Sequence, residues 1–150
     1  MKKIYLLLLL ILMQSCGYQP IYLGKSNLNL KFTEVQLEGD VRISNQIVKI
    51  LSIKEEKSTL EQKKILIESL YNINETSKNS KGQVETYETV ITVKITITEN
   101  NKIKKLKEFN INTTYNNKNN KFELSQLQTE IKNNLIIKIS EEIILFLNVN

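Results

Sequence analysis

The chain has 150 residues and a formal net charge of +5, carried by twenty lysines and one arginine, Arg42. It holds no histidine or tryptophan and one cysteine, Cys16, so histidine-paired nucleophiles and the common zinc sites cannot be assembled within it. Any catalysis would fall to carboxylates, Lys or Tyr alone; the expectation is a non-enzyme with no metal and no cofactor.

The excess of positive charge is mild. It suits anionic lipid or phosphate and does not call for nucleic acid. The richness in Asn, Ile and Lys beside a complete lack of alanine reads as an AT-rich coding bias, which weakens any argument from lysine number alone.

The N-terminus opens with Lys2 and Lys3, continues through an apolar run from Ile4 to Met13, and closes on Gln14, Ser15 and Cys16. This is the layout of a secretory signal peptide cut between Ser15 and Cys16. A cysteine directly after the cut reads as the lipid acceptor of a bacterial lipoprotein. Roughly ten apolar residues fall short of the ~20 that a membrane span requires, and Leu6 to Leu10 leaves no polar face for a surface helix. Met13 and Gln14 are unusual residues for a lipidation signal. Residues 1–15 are therefore expected to be the signal peptide and 16–27 a lipidated tether. Residues 28–150 would form a single α+β domain, with no disulfide because Cys16 has no partner in the chain.

Leu28, Leu30 and Phe32 alternate with polar residues as in a half-buried strand that runs towards Leu37. The apolar phase switches between Phe32 and Val35, which predicts a bulge or break. Asp40 is placed to cap a first helix carrying Ile43, Ile47, Ile50 and Leu51 on one stripe through Ile53. Lys54 keeps the helical spacing, and Glu55 to Gln62 reads as a loop or a frayed helical end.

Three strands follow. Ile65, Ile67, Tyr71 and Ile73 share one face of the first, interrupted by Ser69. Tyr87, Ile91, Val93, Ile95 and Ile97 share one face of the second, where β-branched residues are densest. Phe109, Ile111 and Tyr115 mark the third. Asn74 to Gly82 reads as a polar loop and Asn100-Asn101 as a tight hairpin, since Asn tolerates positive φ. After a polar turn over Asn116 to Asn120, Leu127, Ile131, Leu135, Ile139, Ile143 and Leu147 step by four along a long final helix. Either Asn120 with Glu123 or Ser125 with Gln128 would supply its capping box. The predicted fold is α+β: two helices packed on a four-stranded, mostly antiparallel sheet, in the order β-α-β-β-β-α.

Cys16-Gly17-Tyr18-Gln19-Pro20-Ile21-Tyr22 resembles the mature start of the LPS-assembly lipoprotein LptE family, and the element order resembles that family's domain. The resemblance implies an outer-membrane lipoprotein facing the periplasm. It would plug the β-barrel translocon LptD, supporting the barrel's assembly and the delivery of lipopolysaccharide to the outer leaflet, without catalysis or cofactor. Gly17 lacks the Asp that often retains lipoproteins at the inner membrane, in keeping with that location. The alternative is a stand-alone periplasmic lipoprotein that binds a lipid or cell-wall ligand through its sheet face.

The candidate sites are few. Cys16 would carry the acyl chains, two or more of which anchor stably where one binds marginally. Lys102, Lys104, Lys105 and Lys107 crowd the start of the last strand and could meet lipopolysaccharide phosphates as point charges. In so lysine-rich a chain the favoured reading is an edge strand guarded against edge-to-edge pairing. Tyr71, Tyr87 and Tyr115 are expected in the core, Tyr18 and Tyr22 at the core or a membrane or barrel contact, and Glu141-Glu142 on a solvated helix face.

Overall fold

The computed structural model describes residues 30–56 and 62–148. The signal segment, Ser15, Cys16 and the tether over residues 16–27 lie outside them, as do Tyr18 and Tyr22.

The first strand pattern divides where its phase switches. β1 (Lys31–Phe32) and β2 (Glu34–Gly39) are separated at Thr33, whose N–H and hydroxyl both donate to the Lys63 carbonyl at 2.7 and 2.9 Å. α1 (Val41–Ile50) follows, and the Asp40 carboxylate accepts from the N–H groups of Arg42 and Ile43 at 3.1 and 3.4 Å. This cap satisfies donors that the first helical turn leaves without partners.

The helix stops three residues short of the expected Ile53. Leu51 is its C-cap and Ser52 takes φ +52°, a left-handed conformation that ends helical hydrogen bonding. Extended backbone then resumes, and β3 (Lys54–Glu55) pairs in parallel with β1. A two-residue strand carries no periodicity, which is why Lys54 reads in the sequence as continuing the helical spacing and Glu55 as the start of a loop or frayed helical end.

β4 (Lys63–Lys78), β5 (Val84–Glu99) and β6 (Lys102–Asn116) form an antiparallel meander. β2 joins it alongside β4 in parallel, giving the order β2-β4-β5-β6, so α1 is the crossover that parallel pairing demands. Asn100 and Asn101 both have positive φ, 50° and 60°, the geometry of a tight two-residue hairpin. The loop expected over Asn74 to Gly82 is shorter than predicted. β4 continues to Lys78, with register shifts around Ser77, and only the turn closed by Asn79 remains; the Asn79 Oδ1 accepts from the N–H groups of Lys81 and Gln83.

α2 (Lys121–Asn148) returns over the sheet. Asn120 caps it, accepting the Phe122 N–H at 2.9 Å. The helix side of the sheet is a continuous apolar surface of Ile65, Ile67, Ile91, Val93, Ile95, Ile97 and Phe109. Against it pack Ile43, Ile47 and Leu51 from the first helix, and Leu135, Ile136, Ile139, Ile143 and Ile144 from the last. Each such side chain contributes roughly 1.5–3 kcal/mol when fully buried. The apolar stripe nearer the start of α2, Leu124, Leu127 and Ile131, is only half-buried.

Ser69 does not interrupt the buried face of β4; it belongs to it. Its hydroxyl lies 2.7 Å from that of Ser44 in α1, and both residues are buried. Two small side chains that satisfy each other let the helix approach the strand closely. Nearby, Gly39 has φ +74°, and a Cβ there would run into the Ser69 carbonyl oxygen. That oxygen also accepts the Asp40 N–H at 2.8 Å.

Candidate functional site

The four lysines at the start of β6 do not form one cluster. Side chains alternate across a strand, and the register places Lys105 opposite Ile97 and Lys107 opposite Ile95, on the helix-facing side. Lys107 Nζ lies 4.8 Å from the Phe109 ring centre and 5.6 Å from that of Phe146. Lys105 Nζ lies 5.7 Å from the Phe146 ring. The two rings meet edge-to-face at 5.7 Å. These lysines spread their alkyl stems over the rim of the core and hold their charges over aromatic faces. Lys104 sits at the register shift after Ile97 and forms an ion pair with Glu99 at 3.2 Å. Lys102 pairs across from Glu99 beside the turn.

Lys104 and Lys105 do share one feature. They flank a cleft of about 220 Å³ whose apolar walls are Leu30, Phe32, Ile97 and Leu147, with Lys63 and Glu99 completing the rim. Lys63 Nζ stands 5.4 Å over the Phe32 ring. The rim thus carries three ammonium groups and one carboxylate above an apolar floor. That chemistry suits part of an anionic amphiphile: an alkyl segment below, a phosphate above. The volume lies under the ~300 Å³ at which sites for whole small molecules begin. Lys63 and Glu99 escape a sequence reading because they reach the cleft from different strands.

The opposite face of the sheet is the second notable surface. No described helix covers it, and its rows mix apolar and polar groups: Leu66-Thr96-Leu106, Glu68-Lys94-Glu108 and Leu70-Thr92-Asn110 across β4, β5 and β6. Leu70 and Leu106 are 57 % and 53 % exposed. Lys94 Nζ is 2.8 Å from Glu68, whose hydrogen bond and charge raise the lysine pKa. Glu34 is held below its ordinary range by the hydrogen bond from Lys64, 2.7 Å away, assisted by Gln36. Asn110 Nδ2 donates to Thr92 Oγ1 at 3.0 Å.

The strand tyrosines lie on the helix-facing side but are half-buried, towards the end of the sheet that the helices leave open. Tyr87 stacks on Tyr115 with centroids 5.8 Å apart. Burial, then the neighbouring Tyr115, raises the Tyr71 pKa. Glu141 is half-buried and Glu142 exposed on α2. Among the described residues no acidic, His or Cys group is arranged to hold a metal, and no helix is long and apolar enough to cross a membrane.

No protein-family model matches the chain, and no curated protein matches it significantly. Solved structures do resemble it. Rare lipoprotein B from Shewanella oneidensis superimposes with a TM-score of 0.58 at 13 % identity, over 76 % of this chain and 92 % of that one. An uncharacterized lipoprotein B from Nitrosomonas europaea gives 0.55 at 13 % identity, over 81 % and 89 %. A minor lipoprotein from Acinetobacter baumannii gives 0.52 at 16 %, over 77 % and 92 %. The fold is thus one found in bacterial lipoproteins.

Proposed function

We propose that the chain is an outer-membrane lipoprotein of the LptE type, anchored through acyl chains on Cys16 at the periplasmic side. It lodges within the LptD β-barrel, supports the barrel's assembly, and assists delivery of lipopolysaccharide to the outer leaflet. It acts by binding and shape, not by catalysis. The observation that carries this reading is the uncovered sheet face. Strands of 16 residues display leucines set among threonines and an ion-paired row. A wholly apolar face would point to lipid or to a second core layer, whereas the interior of a large barrel is polar and wet. A mixed face of this kind matches such a wall. The lysine-rimmed cleft supplies chemistry suited to one phosphate and one alkyl segment of lipopolysaccharide.

The test is site-specific photo-crosslinking in intact membranes. A crosslinker at Leu106 on the open face should yield an adduct with a barrel-sized outer-membrane protein, while one at Glu142 on α2 should yield less. Absence of a barrel adduct from Leu106 would remove the proposed partnership and favour the stand-alone lipid- or cell-wall-binding lipoprotein. Two companion results are expected. Cys16→Ala abolishes palmitate labelling, and Lys104→Glu with Lys105→Glu weakens lipopolysaccharide binding; unchanged values would remove the anchor and the cleft respectively.

A further inference from the structure

A second, larger cleft lies at the far end of the sheet from the Asn100-Asn101 turn. The turn after β4, the end of β6 and the start of α2 enclose about 690 Å³ there, within the range of small-ligand sites. Five of its twelve lining residues are Asn or Gln, and Tyr87 is its aromatic surface. Two of the amides stiffen the walls. Asn79 accepts from backbone N–H groups through Oδ1 and donates through Nδ2 to Gln83 Oε1 at 3.0 Å. Asn117 Nδ2 donates to the Val84 carbonyl at 2.7 Å, and its Oδ1 accepts the Lys118 N–H at 2.8 Å. Asn119 also lines the cleft, and its carboxamide bonds to no other described residue. Tyr87 is held in place by its stacking on Tyr115.

We propose that this cleft binds a glycan, taking one or two pyranose rings of an uncharged oligosaccharide. A sugar hydroxyl donates and accepts at once, and a carboxamide is a side chain that offers both functions at one site. The apolar C–H face of a pyranose packs on an aromatic ring, which Tyr87 supplies. An anion is less well served. Asn120 already takes the Phe122 N–H at the start of α2, and Glu85 stands in the cleft with Lys118 and Lys121. The assignment does not depend on the barrel partnership.

The test is an isotope-resolved NMR titration of the full lipidated chain in a non-glycosidic detergent, because sugar detergents would compete. Chitotriose represents cell-wall glycan, a neutral oligosaccharide released from lipopolysaccharide represents the outer-membrane source, and inorganic phosphate is the comparison anion. Saturable shifts confined to residues 79–87 and 116–124 are expected with at least one saccharide, and the one that responds identifies the source. Asn119→Leu and Asn119→Ala, at an exposed position, should each weaken binding about tenfold, a loss of about 1.4 kcal/mol, without altering the remaining spectrum. No saturable shift at ~10 mM saccharide, tenfold above a millimolar Kd, would overturn the proposal. So would a response to phosphate alone, or variants that bind as tightly as the parent chain.

Discussion

Gly39→Ala tests how closely β2 is sewn to β4. At φ +74° an L-residue is strained by about 1–2 kcal/mol. The added methyl also meets the Ser69 carbonyl oxygen, a backbone atom that cannot rotate away. Relief requires the strands to part at this point, which costs roughly 1–3 kcal/mol as overpacking. It also costs about 1 kcal/mol for the Asp40 N–H bond to the same oxygen. Gly82→Ala is the internal control: φ is +77°, yet nothing lies within 4 Å of the new methyl. Strain is common to both, so Gly39→Ala should cost about 2–4 kcal/mol more than Gly82→Ala. Urea unfolding of the full chain, followed by circular dichroism with a shared m-value, measures the difference. Equal losses in the two variants would refute the close approach at Ser69.

Ser44→Ala should cost about 1–3 kcal/mol by stranding the buried Ser69 hydroxyl, and the double change with Ser69→Ala should cost less than the sum of the singles. A double-mutant cycle showing strict additivity would contradict the pairing. Among the six tyrosines, Tyr71 should titrate later than an exposed phenol when phenolate absorbance is followed, and Tyr71→Phe should remove that late component. Because its folded pKa lies above the ordinary 10.0, its contribution to stability is full below that pH and fades as pH rises through the folded value. Glu34 behaves oppositely. Its folded pKa lies below 4.5, so its contribution holds above 4.5 and is lost as pH falls through the folded value. Glu34→Gln should flatten the acid limb of stability between those values, and salt should shrink the effect because the pair is exposed.

The parts of the fold legible in the sequence are those where one face is buried and the other wet. β5 alternates from Ile91 to Ile97 because helices cover only one side, and Asp40 and the Asn100-Asn101 pair announce themselves through backbone chemistry. The end of β4 was illegible for the converse reason. From Asn74 to Thr76 the strand projects past the helices, with both sides exposed, so no hydrophobic period is imposed and the residues read as loop. Ser69 misled in another way: a small polar residue on a buried face looks like a gap until Ser44 is seen opposite. For the basic residues, spacing along β6 was visible, but the register shift after Ile97 and the arrival of Lys63 from β4 were not. Proximity in sequence therefore overstated one group of lysines and hid the rim they share with another strand. The amide-lined cleft was equally hidden, because two stretches far apart in sequence, residues 79–87 and 116–124, compose it.

The late half of α2 supplies five buried core residues, Leu135, Ile136, Ile139, Ile143 and Ile144, all of which follow the described strands in the sequence. Until they arrive, the isoleucine-rich side of the sheet has most of its lid missing. A product truncated before residue 135 would hold every strand yet present a sticky slab, prone to stacking with its like. Such a chain is a ready target for proteases, since it cannot close by itself. Docking of this half-helix thereby becomes the step at which the domain turns from a liability into a finished part.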